Sequence, residues 1–161
     1  METRQDGNTI LLKLSEAEDL VPSLEAAARK HGVESGAVLW GIGMIRDFEI
    51  GFFGPNGYEK SALVDRHELL ALHGSIAMRG DPKLHLHIAA GRPDHAVIGG
   101  HLFRAKTAVV NEIQIVRFDA IRLNRRFNEK TGLRELIFEE VASSPLHAPM
   151  TARSPGIESR A

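Results

Sequence analysis

Apolar positions along this chain follow two periods, and the change between them falls at Gly32. Before it, Leu20, Val21, Leu24, Ala27 and Ala28 stand at i, i+1, i+4, i+7 and i+8, which gathers them into one stripe of an amphipathic helix. Ser15-Glu16-Ala17-Glu18 has the spacing of a capping box ahead of that stripe. Pro22 is compatible with a helix only in its first turn. Lys30 and His31 followed by Gly32 make a C-terminal stop. The pattern predicts one helix over residues 18–31. Ahead of it, Thr9-Ile-Leu-Leu-Lys-Leu14 is strand-like and too short for a helix of its own.

After Gly32 the pattern shortens to runs and alternations over 37–42, 47–53, 57–64, 67–78, 83–90, 100–106, 108–118 and 134–138. Turn formers punctuate them at Gly54-Pro-Asn-Gly57, Arg79-Gly-Asp-Pro82, Gly91-Arg-Pro-Asp94 and Gly99-Gly100. Many short strands and one clear helix predict an α+β fold: a curled, mostly antiparallel β-sheet with one main flanking helix, in a single domain. That domain is expected over 8–141, after an N-terminal arm of residues 1–7. From Ser143 the chain carries three prolines and no apolar period, so 142–161 reads as a disordered tail.

Composition narrows the classes. The 161 residues are 43% hydrophobic and 25% charged, with 20 basic against 21 acidic side chains and a net charge of −1. That is the balance of an ordinary globular domain, and it excludes a globally basic nucleic-acid binder. No apolar run approaches the roughly 18 residues of a membrane span, and the polar start Met1-Glu-Thr-Arg-Gln-Asp6 carries no secretory signal. A cytoplasmic location is therefore expected. The absence of cysteine rules out disulfides, thiolate zinc sites, iron–sulfur clusters and cysteine nucleophiles. Eight histidines beside one Trp and one Tyr are the compositional oddity, and they direct attention to metal or proton chemistry.

The informative segment is Lys83-Leu-His-Leu-His-Ile-Ala-Ala90. In a strand, Leu84, Leu86 and Ile88 face one way and His85 and His87 the other, with Cβ atoms about 6–7 Å apart. A third imidazole follows the turn at Gly99-Gly100-His101. If 83–90 and 100–106 pair, His101 reaches the same side. Three neutral imidazoles with an open fourth position describe a zinc site, and Ni²⁺ or Fe²⁺ would fit as well. The competing reading is a polar row on the solvent face of a sheet. His31 reads as a helix-end cation, while His67 and His73 share a strand face and either could join a site. His95, in a turn, and His147, in the tail, receive no role.

These residues also carry a resemblance. The block His85-Leu-His87 with Gly99-Gly-His-Leu102 resembles the PPC domain family, also called the domain of unknown function 296. It is preceded by Gly41-Ile-Gly-Met-Ile-Arg-Asp-Phe-Glu-Ile-Gly-Phe-Phe53 and Leu69-Leu-Ala-Leu-His-Gly-Ser-Ile-Ala77, and followed by Val110-Asn-Glu-Ile-Gln-Ile115 and Thr131-Gly-Leu133. The chain looks like the free-standing prokaryotic form, often labelled a DNA-binding protein. The resemblance implies a homotrimer and a metal, zinc by expectation, on His85, His87 and His101. Glu68 and Glu112 fall where the family pattern carries an acidic residue, as proton shuttles or as plain surface charges.

Beside a purely structural oligomer whose metal stiffens the sheet or an interface, two functional readings stay open. One is a metal-binding, homo-oligomeric domain with a DNA-associated or regulatory role. The other is a metal-dependent enzyme of hydrolase or lyase type, whose three-His metal activates water against a small molecule, with Arg46 or Arg92 holding an anionic group. Plant relatives reach DNA through a separate AT-hook; here Ala90-Gly-Arg-Pro-Asp94 lacks one arginine of that motif and adds an acid. The one basic cluster, Arg122, Arg125, Arg126, Lys130 and Arg134, reads as the solvated surface of a hairpin that three copies could present to phosphates.

Overall fold

The computed structural model describes residues 1–140; the expected tail and His147 lie outside the described residues. Nine strands and one helix follow the order β1 (Glu2–Asp6), β2 (Thr9–Ser15), α1 (Leu20–Lys30), β3 (Ser35–Gly54), β4 (Gly57–Leu63), β5 (His67–Ala77), β6 (Leu84–Gly91), β7 (Val97–Arg117), β8 (Arg122–Asn128) and β9 (Leu133–Glu139). Seven strands form one antiparallel sheet in the order β1-β2-β7-β6-β5-β3-β4, and β7 also pairs with β3. That extra pairing closes β3, β5, β6 and β7 into a ring, so the central sheet has no free edge there. The α+β class, the antiparallel sheet and the single flanking helix are as the pattern predicts. Among the described residues, no helix is long and apolar enough to cross a membrane.

Two strand pairs predicted as separate are single long strands. The runs 37–42 and 47–53 both belong to β3, and 100–106 and 108–118, save the last residue, both belong to β7. β3 and β7 pair along their lengths with register shifts at Val38/Trp40, Gly43/Ile45, Arg46/Glu49 and Glu49/Ile50. At such bulges the alternation slips while the backbone continues, bent and more strongly twisted. A pattern reader sees a break where the chain turns a corner. The N-terminal residues, read as an arm, include β1, whose Thr3 lies opposite Leu12 of β2.

The helix begins at Leu20 with Asp19 at its N-cap, and no side chain caps it. Ser15 and Glu18 do interact, the Ser15 amide donating to Glu18 Oε2 at 2.7 Å, but in a turn that precedes the helix, with Ala17 at φ 68°. At the other end the stop works as expected. Val33 N–H donates to Ala28 O at 2.8 Å and Gly32 N–H to Arg29 O at 3.3 Å, the bond pair of a Schellman motif, with Gly32 left-handed at φ 62°. Leu20, Leu24, Ala27 and Ala28 are fully buried. α1 packs on β7 and β2 and completes a core that includes Ile10, Leu14, Ile45, Phe48, Leu72, Ile76 and Ile113.

β8 and β9 form a separate hairpin. It is fastened to the main sheet by the Leu123 amide, which donates to Ser35 Oγ at 2.9 Å, and by Arg125, described below. Phe138, at 75% exposure, and Phe127, at 54%, lie on its outside.

Candidate metal centre

Strand alternation and register together build the site. On β6 the side chains of Leu84, Leu86 and Ile88 enter the core, while His85 and His87 point to the opposite face, His85 half-buried and His87 exposed. β7 lies antiparallel beside it with His101 directly opposite His87, and directly opposed residues share a face. The preceding glycines make this pairing close. A Cβ on Gly99 would lie 2.4 Å from Ile88 O, and one on Gly100, whose φ is +157°, would lie 2.7 Å from Gly51 O. Side chains there would push β6, β7 and β3 apart and carry His101 away from its partners.

The three rings have centroids 5.0 to 5.4 Å apart. His85 Nε2 and His87 Nε2 face each other at 3.1 Å, and one ligand nitrogen from each of the three residues lies within 4.8 Å of the others. Nitrogens tetrahedrally placed at about 2.0–2.1 Å from zinc stand roughly 3.3 Å apart, so the donor set and its convergence fit a divalent transition metal. Tyr58 lies over His101: its hydroxyl is 3.4 Å from His101 Nδ1 and its ring 4.9 Å from the imidazole. With the hydroxyl at Nδ1, Nε2 is the nitrogen left free to take a metal.

Electrostatics favour the neutral, ligating form. Partial burial, then the neighbouring His87 and Arg125, hold His85 below its ordinary value. For His101, burial, His85, His87, Lys60 and Arg125 together lower the pKa from 6.5 to about 4. Unliganded, the unfolded chain then binds more protons at this position than the folded chain between those two values. The His101 contribution to stability is therefore complete above about pH 6.5 and is lost as pH falls toward 4. The urea midpoint of the EDTA-treated protein should drop from pH 7 to pH 4.5, and His101→Ala should flatten part of that drop. Equal slopes in the two proteins would mean that His101 titrates normally.

The other residues singled out in the sequence lie elsewhere. Glu68 is exposed on β5, and Glu112 is exposed on β7 opposite Lys13 of β2; neither lines the histidine cleft. Arg46 is paired with Asp47 and Arg92 with Asp94. His67 is buried against Phe48, with its Nδ1–H donating to Asp65 O at 3.1 Å. His31 bonds Gln5 and Thr3, joining the helix end to β1. His73 stands opposite His87 on β5, yet its Nδ1–H donates to Leu39 O at 2.7 Å, and it is not part of the converging set.

The basic cluster requires a correction. Arg125 is 7% exposed, not a solvated hairpin charge. Its Nε–H donates to Pro82 O at 2.8 Å and one terminal nitrogen to Ser75 Oγ at 2.9 Å. It lines, with His85 and His101, a cleft of about 580 Å³ between the sheet and the β8–β9 hairpin. The sequence places it in solvent because an arginine in an alternating polar run reads as outward-facing. The available signal was its strand phase with Leu123, which is buried.

Known proteins share this fold. A metal-containing protein of Archaeoglobus fulgidus has a similar structure, with a TM-score of 0.73 at 31% identity, covering 83% of this chain and 95% of that one. A candidate DNA-binding protein of Bacteroides thetaiotaomicron gives a TM-score of 0.78 at 28% identity over 86% of this chain and 98% of that one. A plant- and prokaryote-conserved (PPC) protein of Pyrococcus horikoshii gives 0.70 at 26% identity, covering 85% and 94%. In sequence, the chain is 31% identical over 148 residues to a bifunctional protein GlmU of Synechococcus, which aligns with 91% of this chain but only 23% of that protein. The chain thus spans about a quarter of that relative's length. Residues 1–119 match the model of the Plants and Prokaryotes Conserved domain, and the chain belongs to the Plants and Prokaryotes Conserved (PCC) domain family.

Proposed function

We propose that this PCC-domain protein binds one divalent metal ion, zinc by preference, on His85, His87 and His101, and works as a homo-oligomer in a DNA-associated or regulatory role. The convergence of three imidazole nitrogens within 4.8 Å on one sheet face carries the reading. A row of solvent-facing polar residues has no reason to aim nitrogens at one point, and the related Archaeoglobus protein is metal-containing. A metal held there would supply a Lewis-acid centre beside the cleft. This chain's own residues hold it, with Tyr58 setting the ring of His101 and Gly99 and Gly100 allowing the approach of β7. Elemental analysis of the purified protein should find about one zinc per chain, and none in the His85→Ala/His87→Ala/His101→Ala variant. Equal metal in both proteins would refute the site.

The DNA-associated part of the proposal rests on relatives of that description and on the side chains the hairpin leaves outside. With Arg125 buried, the outward cations are Arg126, Lys130 and Arg134. Reversing all three to glutamate should abolish salt-sensitive retardation of duplex DNA in a gel while the domain stays folded. Retardation that persists in this variant would place nucleic acid on another face.

A small-molecule enzyme is the second reading, and the cleft beside the histidines favours it. Neither Glu68 nor Glu112 can serve it as proton shuttle, since both lie off the cleft. Glu135 is the carboxylate that lines it, and its oxygens already accept from Asn128 at 2.9 Å and Thr131 at 2.8 Å.

A further inference from the structure

Arg125 carries an inference that neither the metal nor the fold requires. A guanidinium has five N–H donors; here two are used, on Pro82 O and Ser75 Oγ. Both acceptors are uncharged, and among the described residues Arg125 has no carboxylate partner. A buried cation without a counter-charge is costly, and hydrogen bonds to a carbonyl and a hydroxyl leave its charge uncompensated. Its remaining donors sit in the wall of the cleft that His85 and His101 share. The rest of that wall is largely apolar, with Tyr58 and Phe103 on one side and Leu133 and Leu136 of the hairpin on the other. Arg134 of the hairpin is the other cation in the lining and is exposed, while Lys60, 3.9 Å above the Phe103 ring, is paired with Glu49 at 2.9 Å. The one acid in the lining, Glu135, is committed to its own hairpin.

We propose that the cleft between the sheet and the β8–β9 hairpin is a binding site for a small organic carboxylate, whose anionic group is held by Arg125 and whose apolar body lies between Tyr58, Phe103 and Leu136. A guanidinium matches a carboxylate in plane, offering two parallel N–H donors, and charge-assisted bonds of this kind are about twice as strong as neutral ones. The apolar walls account for the organic body: a bare oxyanion would leave them wet. The contact to Arg125 stands without the metal. Reach from the same ligand to the imidazole side of the cleft rests on the metal reading.

The test is a titration of the full chain with benzoate and with benzamide, its neutral counterpart of the same shape, followed by calorimetry and by the Arg125 Nε–H signal in NMR. It is run on zinc-loaded and on EDTA-treated protein. Benzoate should bind at least about tenfold more tightly than benzamide in both preparations and should shift the Arg125 signal. Arg125→Met should remove that preference, and Arg125→Lys, which keeps the charge but not the fork, should keep a reduced one. If Arg125→Met does not fold, the benzoate-to-benzamide ratio and the Arg125 signal in the parent decide the matter alone. Equal binding of the two probes, or inorganic phosphate outcompeting benzoate, would overturn the proposal. Benzoate that binds only with zinc present, and equally in Arg125→Met, would place the anion on the metal; the carboxylate site then fails while the metal centre stands. Conversely, a triple-histidine variant that keeps its zinc, with benzoate binding still dependent on Arg125, defeats the metal centre alone.

Discussion

His87→Ala should leave a folded protein that no longer retains zinc. The separation of the two effects follows from strand geometry. Leu86 and Ile88, the neighbours of His87, are 2% and 6% exposed in the core, whereas His87 projects from the other face into solvent. Alanine there removes no core contact, so the stability of the EDTA-treated protein should change by no more than about 0.5 kcal/mol, the usual range for a surface substitution. The metal loses one of three protein ligands. Deleting an outer-shell partner alone costs about 10–100-fold in affinity, so loss of a direct ligand should exceed 100-fold, read by competition with a chromophoric chelator. His73→Ala is the matched control, since His73 lies across from His87 on β5 but spends its Nδ1–H on Leu39 O. It should keep the parent's affinity. Parent-like zinc affinity in His87→Ala would mean that the metal sits elsewhere or needs only two imidazoles.

Phe48→Ala should have the largest effect on stability. Phe48 is fully buried on β3, just where the register with β7 shifts between Arg46 and Glu49, and its ring meets His67 edge-on at 5.0 Å and 77°. Removing it opens a cavity that a closed ring of strands cannot collapse to fill, and Phe→Ala in a core costs about 3–5 kcal/mol. Against a total of roughly 5–15 kcal/mol for a domain, that is a large fraction, and for a chain of this length it corresponds to a fall in Tm of about 10 °C. Urea unfolding followed by circular dichroism gives the value. A loss below about 1 kcal/mol would show that the ring is not packed as described. Because Phe48 lies in the core, apart from His85, His87 and His101, the folded variant should still bind zinc, which makes the two substitutions complementary: one empties the site and spares the fold, the other weakens the fold and spares the site.

The three-histidine cluster was legible because strand periodicity is local. His85 and His87 stand two apart in an alternating run, and that spacing alone puts them on one face. Pairing them with His101 needed only the assumption that two neighbouring runs form a hairpin, which the register His87 opposite His101 bears out. The acidic and basic residues were not legible in the same way. Glu68 and Glu112 have suitable chemistry but stand on other stretches of the ring, and nothing in their spacing tells which cleft a strand surface faces. Arg125 was misplaced for the opposite reason. Arginine is rarely buried without a partner, so a sequence reading puts it in solvent by default, and its acceptors, Ser75 and Pro82, lie fifty and forty-three positions away.

The sequence by itself determined the helix and its stop at Gly32, and the alternation that separates the core from the face of His85 and His87, because each depends on residues a few positions apart. Only the tertiary structure decided that four predicted strands are two long bent ones, that β3 and β7 pair to close the ring, and that a buried arginine from the hairpin stands beside the imidazoles. Bulges, closure and burial are settled by contacts across the chain, where the favourable pairing of distant backbone groups and the exclusion of water outweigh local preference.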